Sequence, residues 1–168
     1  TFLSNLIKIY MDTFRDCHSL SEIQIPSSVN FLGSYSFFKC FSLSEIVIPS
    51  SLDTISEYAF YKCRSLKKIE FPQTLKIIRK KAFFGCSSLK EIHFHSSDCI
   101  IHNKAFYDCP SISAIVIYSF KSSFLLHMSH FIPPSKLFFI KFPAVNIKKI
   151  LKYEKNINPS MHLGNKTL

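Results

Sequence analysis

Residues 59–72 have the sequence AFYKCRSLKKIEFP, and residues 82–94 repeat its pattern 23 positions later as AFFGCSSLKEIHF. The same spacing continues in both directions and is clearest at the cysteines. Five of the six cysteines follow one another at intervals of 23 residues, namely Cys17, Cys40, Cys63, Cys86 and Cys109. A fixed period in the twenties is typical of a stacked repeat, in which one short unit recurs along the chain.

Other apolar residues recur with the same period. A phenylalanine lies three residues before each of these cysteines, at Phe14, Phe37, Phe60, Phe83 and Phe106. An isoleucine lies six residues after each, at Ile23, Ile46, Ile69, Ile92 and Ile115. One such unit cannot bury its own apolar side, whereas stacked units cover one another. The sequence therefore predicts a repeat solenoid of about five coils over residues 1–118, with the first and last coils incomplete. A non-repeat tail over residues 119–168 follows it.

The local pattern of each unit predicts its conformation. Apolar residues two apart, such as Ile46 and Ile48, place both side chains on one face of a short strand. Pro49 then ends the strand because it has no N–H to donate. The A-F-x-x-C segment is too short for an α-helix, which predicts an irregular or 3₁₀ turn there. Because the chain has only three glycines, few turns with positive φ are expected.

These strings resemble the repeats of the BspA-like leucine-rich repeat family, whose units have about 22–24 residues. The resemblance extends over roughly residues 2–118. It implies a solenoid with short parallel β-strands on a concave face and irregular or 3₁₀ turns on the convex side. It also implies a role without catalysis, in cell-surface attachment or in the recognition of a host or partner protein.

A binding surface is predicted from the residues that alternate with the inward-facing isoleucines. These positions vary from unit to unit, whereas the core positions do not, as expected of a fixed scaffold that displays a changeable surface. Mixed charges favour a polar, protein-like ligand of unknown identity. The alternative is that these side chains are simply solvated. The predicted concave face comprises Ser21, Glu22, Gln24, Ser44, Glu45, Val47, Lys67, Lys68, Glu70, Lys90, Glu91 and His93.

The five periodic cysteines have three interpretations: a chain of disulfides, a column of metal ligands, or small apolar residues inside the coils. Packing is favoured for two reasons. Equivalent Cβ atoms in layers about 4.8 Å apart are farther from each other than the roughly 3.8 Å of a disulfide. A zinc site needs four convergent ligands rather than a line of thiols. Cys99 lies outside the column and is the best candidate for a reactive thiol.

Aromatic and histidine residues give weaker predictions. Phe38, Tyr61, Phe84 and Tyr107 form a second ring column, which is either an exposed stripe for a partner or packing between layers. His93, His95 and His102 lie near Cys99, but no spacing typical of a zinc site supports a metal, so none is predicted.

Catalytic motifs are absent from the sequence. It has no G-x-S-x-G, no Ser-His-Asp order and no glycine-rich phosphate loop, and its glycines are only Gly33, Gly85 and Gly164. No enzyme, cofactor or small-molecule substrate is therefore predicted.

Charge distinguishes the tail from the repeats. Residues 1–118 have 13 basic and 10 acidic residues, whereas residues 119–168 have eight lysines and a single acid, Glu154. The segment 146–155 could form a short basic amphipathic helix, the one place where contact with an anionic membrane or nucleic acid is expected.

The residues themselves leave two cellular locations open. No apolar run reaches the roughly 18 residues of a membrane span, and no secretion signal is visible in the given sequence. The family resemblance favours a cell-surface or extracellular adhesion protein. A cytoplasmic interaction scaffold is the alternative, because unpaired thiols are typical of reducing compartments.

Overall fold

The computed structural model describes residues 5–96 and 98–118. This part of the chain contains ten short strands, two in each coil, and no helix. In chain order the strands are β1 (Lys8–Ile9), β2 (Glu22–Gln24), β3 (Phe31–Leu32), β4 (Glu45–Val47), β5 (Thr54–Ile55), β6 (Lys68–Phe71), β7 (Ile77–Ile78), β8 (Glu91–Phe94), β9 (Ile100–Ile101) and β10 (Ala114–Ile117).

The strands pair in parallel with a register of one repeat. The odd-numbered strands form one continuous five-stranded sheet, called here the side sheet. The even-numbered strands, called here the main strands, form a pair β2–β4 and a three-stranded sheet β6–β8–β10. Ile69 lies beside Ile92, and Ile92 beside Ile115, each 23 residues further along. The predicted leucine-rich repeat solenoid is confirmed, and the side sheet adds a second strand per coil that the sequence did not predict.

A column of stacked phenylalanine rings fills the centre of the coils. Phe37 and Phe60 are fully buried, with ring centroids 5.1 Å apart and planes at 1°. Phe60 and Phe83 repeat this arrangement at 5.0 Å. The small residues Ala59 and Ala82, one position before the rings, are also fully buried. The periodic phenylalanines from Phe37 to Phe106 are therefore core residues, as their spacing predicts, while Phe14 in the first coil is half-buried.

Hydroxyl groups at the corners join successive coils. The Oγ of Ser51 lies 2.6 Å from the carbonyl oxygens of both Ser27 and Val29 in the preceding coil, so its single proton is donated to one of them or shared between the two. The Oγ1 of Thr74 makes the equivalent bonds to Ser50 and Leu52. Corner serines commonly bond to their own local backbone. Here the bonded carbonyls belong to the neighbouring layer, so these hydroxyls hold the stack together.

The turns after the side-sheet strands contain two positive-φ residues per coil, so the expectation of few such turns is wrong. Only Gly85 among them is a glycine. Aspartate tolerates this backbone region, but other side chains cost about 1–2 kcal/mol there. Hydrogen bonds between coils offset that cost, as where Lys62 N donates to Phe84 O at 2.7 Å. The other positive-φ residues are Asp12, Asp16, Tyr35, Lys39, Tyr58, Lys62, Lys81, Lys104 and Asp108.

The periodic cysteines pack in the core and also donate hydrogen bonds. No disulfide joins any of the six cysteines, all of which lie among the described residues. From the second coil onward, each thiol of the column lies 3.1–3.2 Å from the carbonyl oxygen of the phenylalanine in the preceding coil. A purely apolar side chain would fill the same space without donating a hydrogen bond. The pairs are Cys40–Phe14, Cys63–Phe37, Cys86–Phe60 and Cys109–Phe83.

The prediction that Cys99 is the most reactive thiol is wrong. Cys99 is 3% exposed, and burial raises the pKa of its thiol to about 12. Burial likewise raises the pKa of Cys63 well above its ordinary value. A thiol that stays protonated is a poor nucleophile. Cys17, in the first coil, is the exposed cysteine.

Replacing Phe60 with alanine should destabilise the protein by about 3–5 kcal/mol, because it leaves a ring-sized cavity in the central column. Urea unfolding followed by circular dichroism measures this. The exposed Val47→Ala variant is the control and should stay within about 0.5 kcal/mol of wild type. A loss below about 1 kcal/mol for Phe60→Ala would contradict the core assignment.

Stability should fall as the pH rises above about 8.5, where thiols of the unfolded chain begin to ionise. The folded state keeps its buried thiols protonated up to a higher pH, since burial raises their pKa. The unfolded state then binds fewer protons than the folded state, and each such thiol lowers stability by up to about 1.4 kcal/mol per pH unit. Urea unfolding at pH 7.5 and 10.5 measures the slope. Cys63→Ala should have a shallower slope than wild type, and an unchanged slope would refute this origin.

Candidate functional site

The main strands display the residues predicted as a binding surface, which we call the main strand face. Along β4 and β6 the inward residues Ile46 and Ile69 are 6% and 1% exposed, and their neighbours point outward. Ten of the twelve predicted residues are exposed, Ser44 is half-buried and His93 is buried. The most exposed apolar side chain on these strands is Val47, at 64%.

His93 was expected on the exposed surface, and the structure corrects this. His93 is 8% exposed, because neighbouring polar side chains cover its imidazole ring. The Nδ1 atom lies 3.1 Å from the Tyr118 hydroxyl, and Nε2 lies 3.2 Å from the Glu91 carboxylate. Both ring nitrogens therefore have partners, which makes His93 a structural member of the face.

Tyr118 and His95 belong to the face although the sequence did not indicate them. The His95 ring stacks on Tyr118 with centroids 4.3 Å apart and planes at 2°. Its Nε2 atom lies 2.7 Å from a Glu70 carboxylate oxygen. The hydrogen bond from His95, with the charge of Lys68 as a smaller contribution, lowers the pKa of Glu70. Both residues occupy the column where earlier coils have proline, so the break in the proline pattern was the available signal.

Charges are unevenly distributed along this face. Glu22 and Glu45 are direct neighbours across the β2–β4 pair, which places two like charges side by side at one end. Lys67, Lys68 and Lys90 lie toward the other end, and the Lys68 ammonium is 3.5 Å from a Glu70 oxygen. The face thus passes from acidic to mixed and basic along the stack.

A cleft lies where this charge changes sign. Strands β4 and β6 contact each other but are not paired, so the main strands divide into two sheets at this point. Between them is a cavity of about 500 Å³, whose lining includes the largely buried Ile46, Ile48 and Phe71. Glu45 and Lys68 stand at its edges. The cleft can accept an apolar group that is flanked by polar or charged ones.

His93, His95 and His102 do not assemble a metal site. Among residues 5–96 and 98–118, no group of three His, Cys, Asp or Glu side chains could hold a metal ion. His93 and His95 contact carboxylates, while Cys99 is buried in the core and His102 is exposed after β9.

The second ring column is packed rather than displayed. Phe38 and Tyr61 stack at 4.9 Å, Tyr61 and Phe84 at 5.0 Å, and all three residues are half-buried. Only Tyr107 in this column is largely exposed, at 59%. Neighbouring rings cover the ring faces, which supports the packing interpretation.

The basic segment 146–155 lies outside the described residues, so its contact with a membrane or nucleic acid remains a prediction. The domain boundary at residue 118 also remains one. Within the described ranges, no helix has the length and apolar character of a membrane span.

Solved structures with related sequences contain the same fold. The T. pallidum leucine rich repeat protein is 32% identical, with a TM-score of 0.62, and the match covers 66% of this chain and 51% of that one. A leucine rich cell surface protein from Faecalibacterium prausnitzii is 29% identical, with a TM-score of 0.65 over 73% of this chain and 32% of that one. The pneumococcal vaccine antigen PcpA, at 24% identity and a TM-score of 0.68, shares the fold over 95% of this chain and 40% of its own.

This chain therefore spans about a third to a half of the length of these three solved relatives. No curated protein matches it. Solenoids of this kind are protein-interaction modules, since the stacked coils create an extended binding surface. The sequence model of the BspA type leucine rich repeat region matches in six copies, over residues 1–113 and 54–153. The chain belongs to the BspA type leucine-rich repeat family.

Proposed function

We propose that this chain binds a protein partner, without catalysis, through the main strand face, and that it does so in adhesion at a cell surface. The proposal rests mainly on the contrast between the two sides of each main strand. Ile69 and Ile92 are at most 1% exposed, whereas Lys68, Glu70 and Glu91 beside them are exposed. The scaffold thus repeats, while the displayed chemistry changes from coil to coil.

The composition of the face suits a folded protein or an extended polypeptide. It combines acidic and basic side chains with one exposed valine and an apolar cleft. Protein interfaces typically have an apolar centre and a polar rim. Val47 and the cleft between β4 and β6 supply such a centre, with Glu45 and Lys68 at its rim. A uniformly basic surface would favour a phosphate backbone, and this face is not uniformly basic.

The proposed location is supported by the relative from F. prausnitzii, which is described as a cell surface protein. The intracellular scaffold remains the competing function, because the described cysteines form no disulfide. The buried thiols weaken that argument, since their hydrogen bonds to Phe14, Phe37, Phe60 and Phe83 give them a structural role in any compartment.

The double variant Val47→Glu/Lys68→Glu should reduce binding at least tenfold, because it places new negative charge at both edges of the cleft. Fluorescently labelled full chain is titrated onto epithelial cell monolayers, with and without prior trypsin treatment of the cells. Wild type should bind saturably, and trypsin treatment should remove the sites.

The matched control is Lys76→Glu/Ile100→Glu. It makes the same charge change at an exposed lysine and an exposed isoleucine on the side sheet, where Ile100 N donates to Lys76 O. It should bind like wild type. Equal losses in both variants would show that only overall charge matters. Sites that survive trypsin would exclude a protein ligand.

Protease treatment of intact producing cells should remove an epitope-tagged full-length gene product if it lies at the surface. A cytoplasmic protein processed in parallel is the control and should remain whole. Protection of the tagged protein until the cells are lysed would favour the intracellular scaffold.

A further inference from the structure

A row of lysines lies over the second ring column, on the turns that follow the side sheet. The Lys39 ammonium is 5.1 Å from the centroid of Phe38, and that of Lys62 is 5.5 Å from Tyr61. Lys81 lies 5.5 Å from both Tyr58 and Phe84, and Lys104 lies 5.9 Å from Tyr107. We call the turns 34–39, 57–62, 80–85 and 103–108 the turn band.

Attraction to the rings positions these ammonium groups. A cation within about 6 Å of a ring centroid is attracted to the face of the ring. Since the rings are themselves stacked from coil to coil, the ammonium groups beside them recur along the same column. Lys39 and Lys62 come one residue after their ring, whereas Lys81 and Lys104 come three residues before theirs. The row therefore crosses the ring column over four successive coils.

The four charges are not neutralised within the described part of the chain. No carboxylate there lies within ion-pair distance of Lys39, Lys62, Lys81 or Lys104. Of the two acids in the turn band, Glu57 pairs with Arg79 at 3.7 Å, and Asp108 lies in the last turn, beyond Tyr107. In the first coil, Arg15 pairs with Asp12 at 2.9 Å. The row of cations without an ion-pair partner therefore begins in the second coil, at Lys39. Lys104 is exposed and Lys39, Lys62 and Lys81 are half-buried, and the turn band as a whole has a net positive charge.

Backbone conformation decides which substitution can remove these charges without straining the turn. All four have positive φ, between 56° and 58°. Gly85 occupies the same position in its coil as Lys62, with φ 71°, so glycine fits this turn. Lysine is less favourable there than glycine or aspartate. Replacing these lysines with glycine therefore removes their charges while keeping a backbone conformation that glycine adopts readily.

We propose that the turn band binds a linear sulfated polysaccharide through these four lysines. Lysine presents a compact point charge without the planar fork with which arginine binds carboxylates and phosphates. A row of such charges suits sulfate groups spaced along a flexible sugar chain. This surface is separate from the main strand face, so either proposal can fail without the other.

Nucleic acid fits this band less well. Proteins that bind single strands gain much of their affinity by stacking bases on aromatic faces. Here adjacent rings are 4.9–5.6 Å apart and cover one another. Inserting a base between two rings requires about 7 Å, twice the usual stacking distance of about 3.4 Å. The rings therefore position the lysines and leave little aromatic surface for bases.

The test uses the full chain and a fluorescent heparin octasaccharide as the probe, with anisotropy measured between 50 and 200 mM NaCl. The variant Lys39→Gly/Lys62→Gly/Lys81→Gly/Lys104→Gly removes the four charges and keeps a backbone that glycine tolerates. Its affinity should fall at least tenfold. The slope of log K against log salt should become shallower by roughly 3, for four lost contacts at about 0.7–0.9 each.

The matched control is Lys67→Gln/Lys68→Gln/Lys76→Gln/Lys90→Gln, which removes the same net charge elsewhere and should bind within about twofold of wild type. Equal losses in both variants, or no loss in the glycine variant, would overturn the proposal. Tighter binding of an oligo-dT of equal charge, lost in the glycine variant, would assign the band to nucleic acid instead. Circular dichroism checks that each variant is folded. If the glycine variant unfolds, the Lys39→Gln/Lys62→Gln pair replaces it, with Lys67→Gln/Lys68→Gln as control.

Discussion

Each coil of this protein can bury its apolar side only against the next coil, and the stacked phenylalanine column is where that requirement is met. The rings from Phe37 to Phe106 lie 5.0–5.1 Å apart, close to the spacing of the parallel strands on either side. Rings, strands and turns must all stack at this one distance between successive coils. Every coil therefore has to place equivalent residues at the same positions. The constant 23-residue period follows from that geometry.

The same spacing explains why cysteine recurs where a small apolar residue would also fit. The carbonyl of Phe37 closes its own turn by accepting from Cys40 N, and it also accepts the Cys63 thiol from the next coil. The thiol is small enough for the core and can still donate a weak hydrogen bond. The column thus links layers through polar groups that no water reaches.

The sequence predicted the parts of the fold that depend on burial. Ile69 and Phe60 recur in register because any exception would open a gap in the core. Features that depend on two or three local contacts were not predictable. The side-sheet strands have only two residues each, too few for an alternating pattern. The positive φ of Lys62 depends on its bond to the next coil, so no residue preference indicated it.

The candidate site, too, was predictable from the sequence only in part. Alternation along the strands placed Glu45, Val47 and Lys68 outward, because a strand has only two sides. The burial of His93 depends on Tyr118 from the following coil, a contact between layers that alternation along one strand does not reveal. The lysines over the second ring column depend on which way each turn projects its side chain. That direction is set by backbone angles rather than by residue type.

The missing pairing between β4 and β6 gives the two sides of the solenoid different mechanical properties. The side sheet continues through all five coils, whereas the pairing of the main strands is interrupted between β4 and β6. A rod that is continuous along one edge and split along the other bends most easily at the split. If the stack bends there, the width of the cleft changes with it, and the curvature of the stack then sets how closely the cleft fits an apolar group.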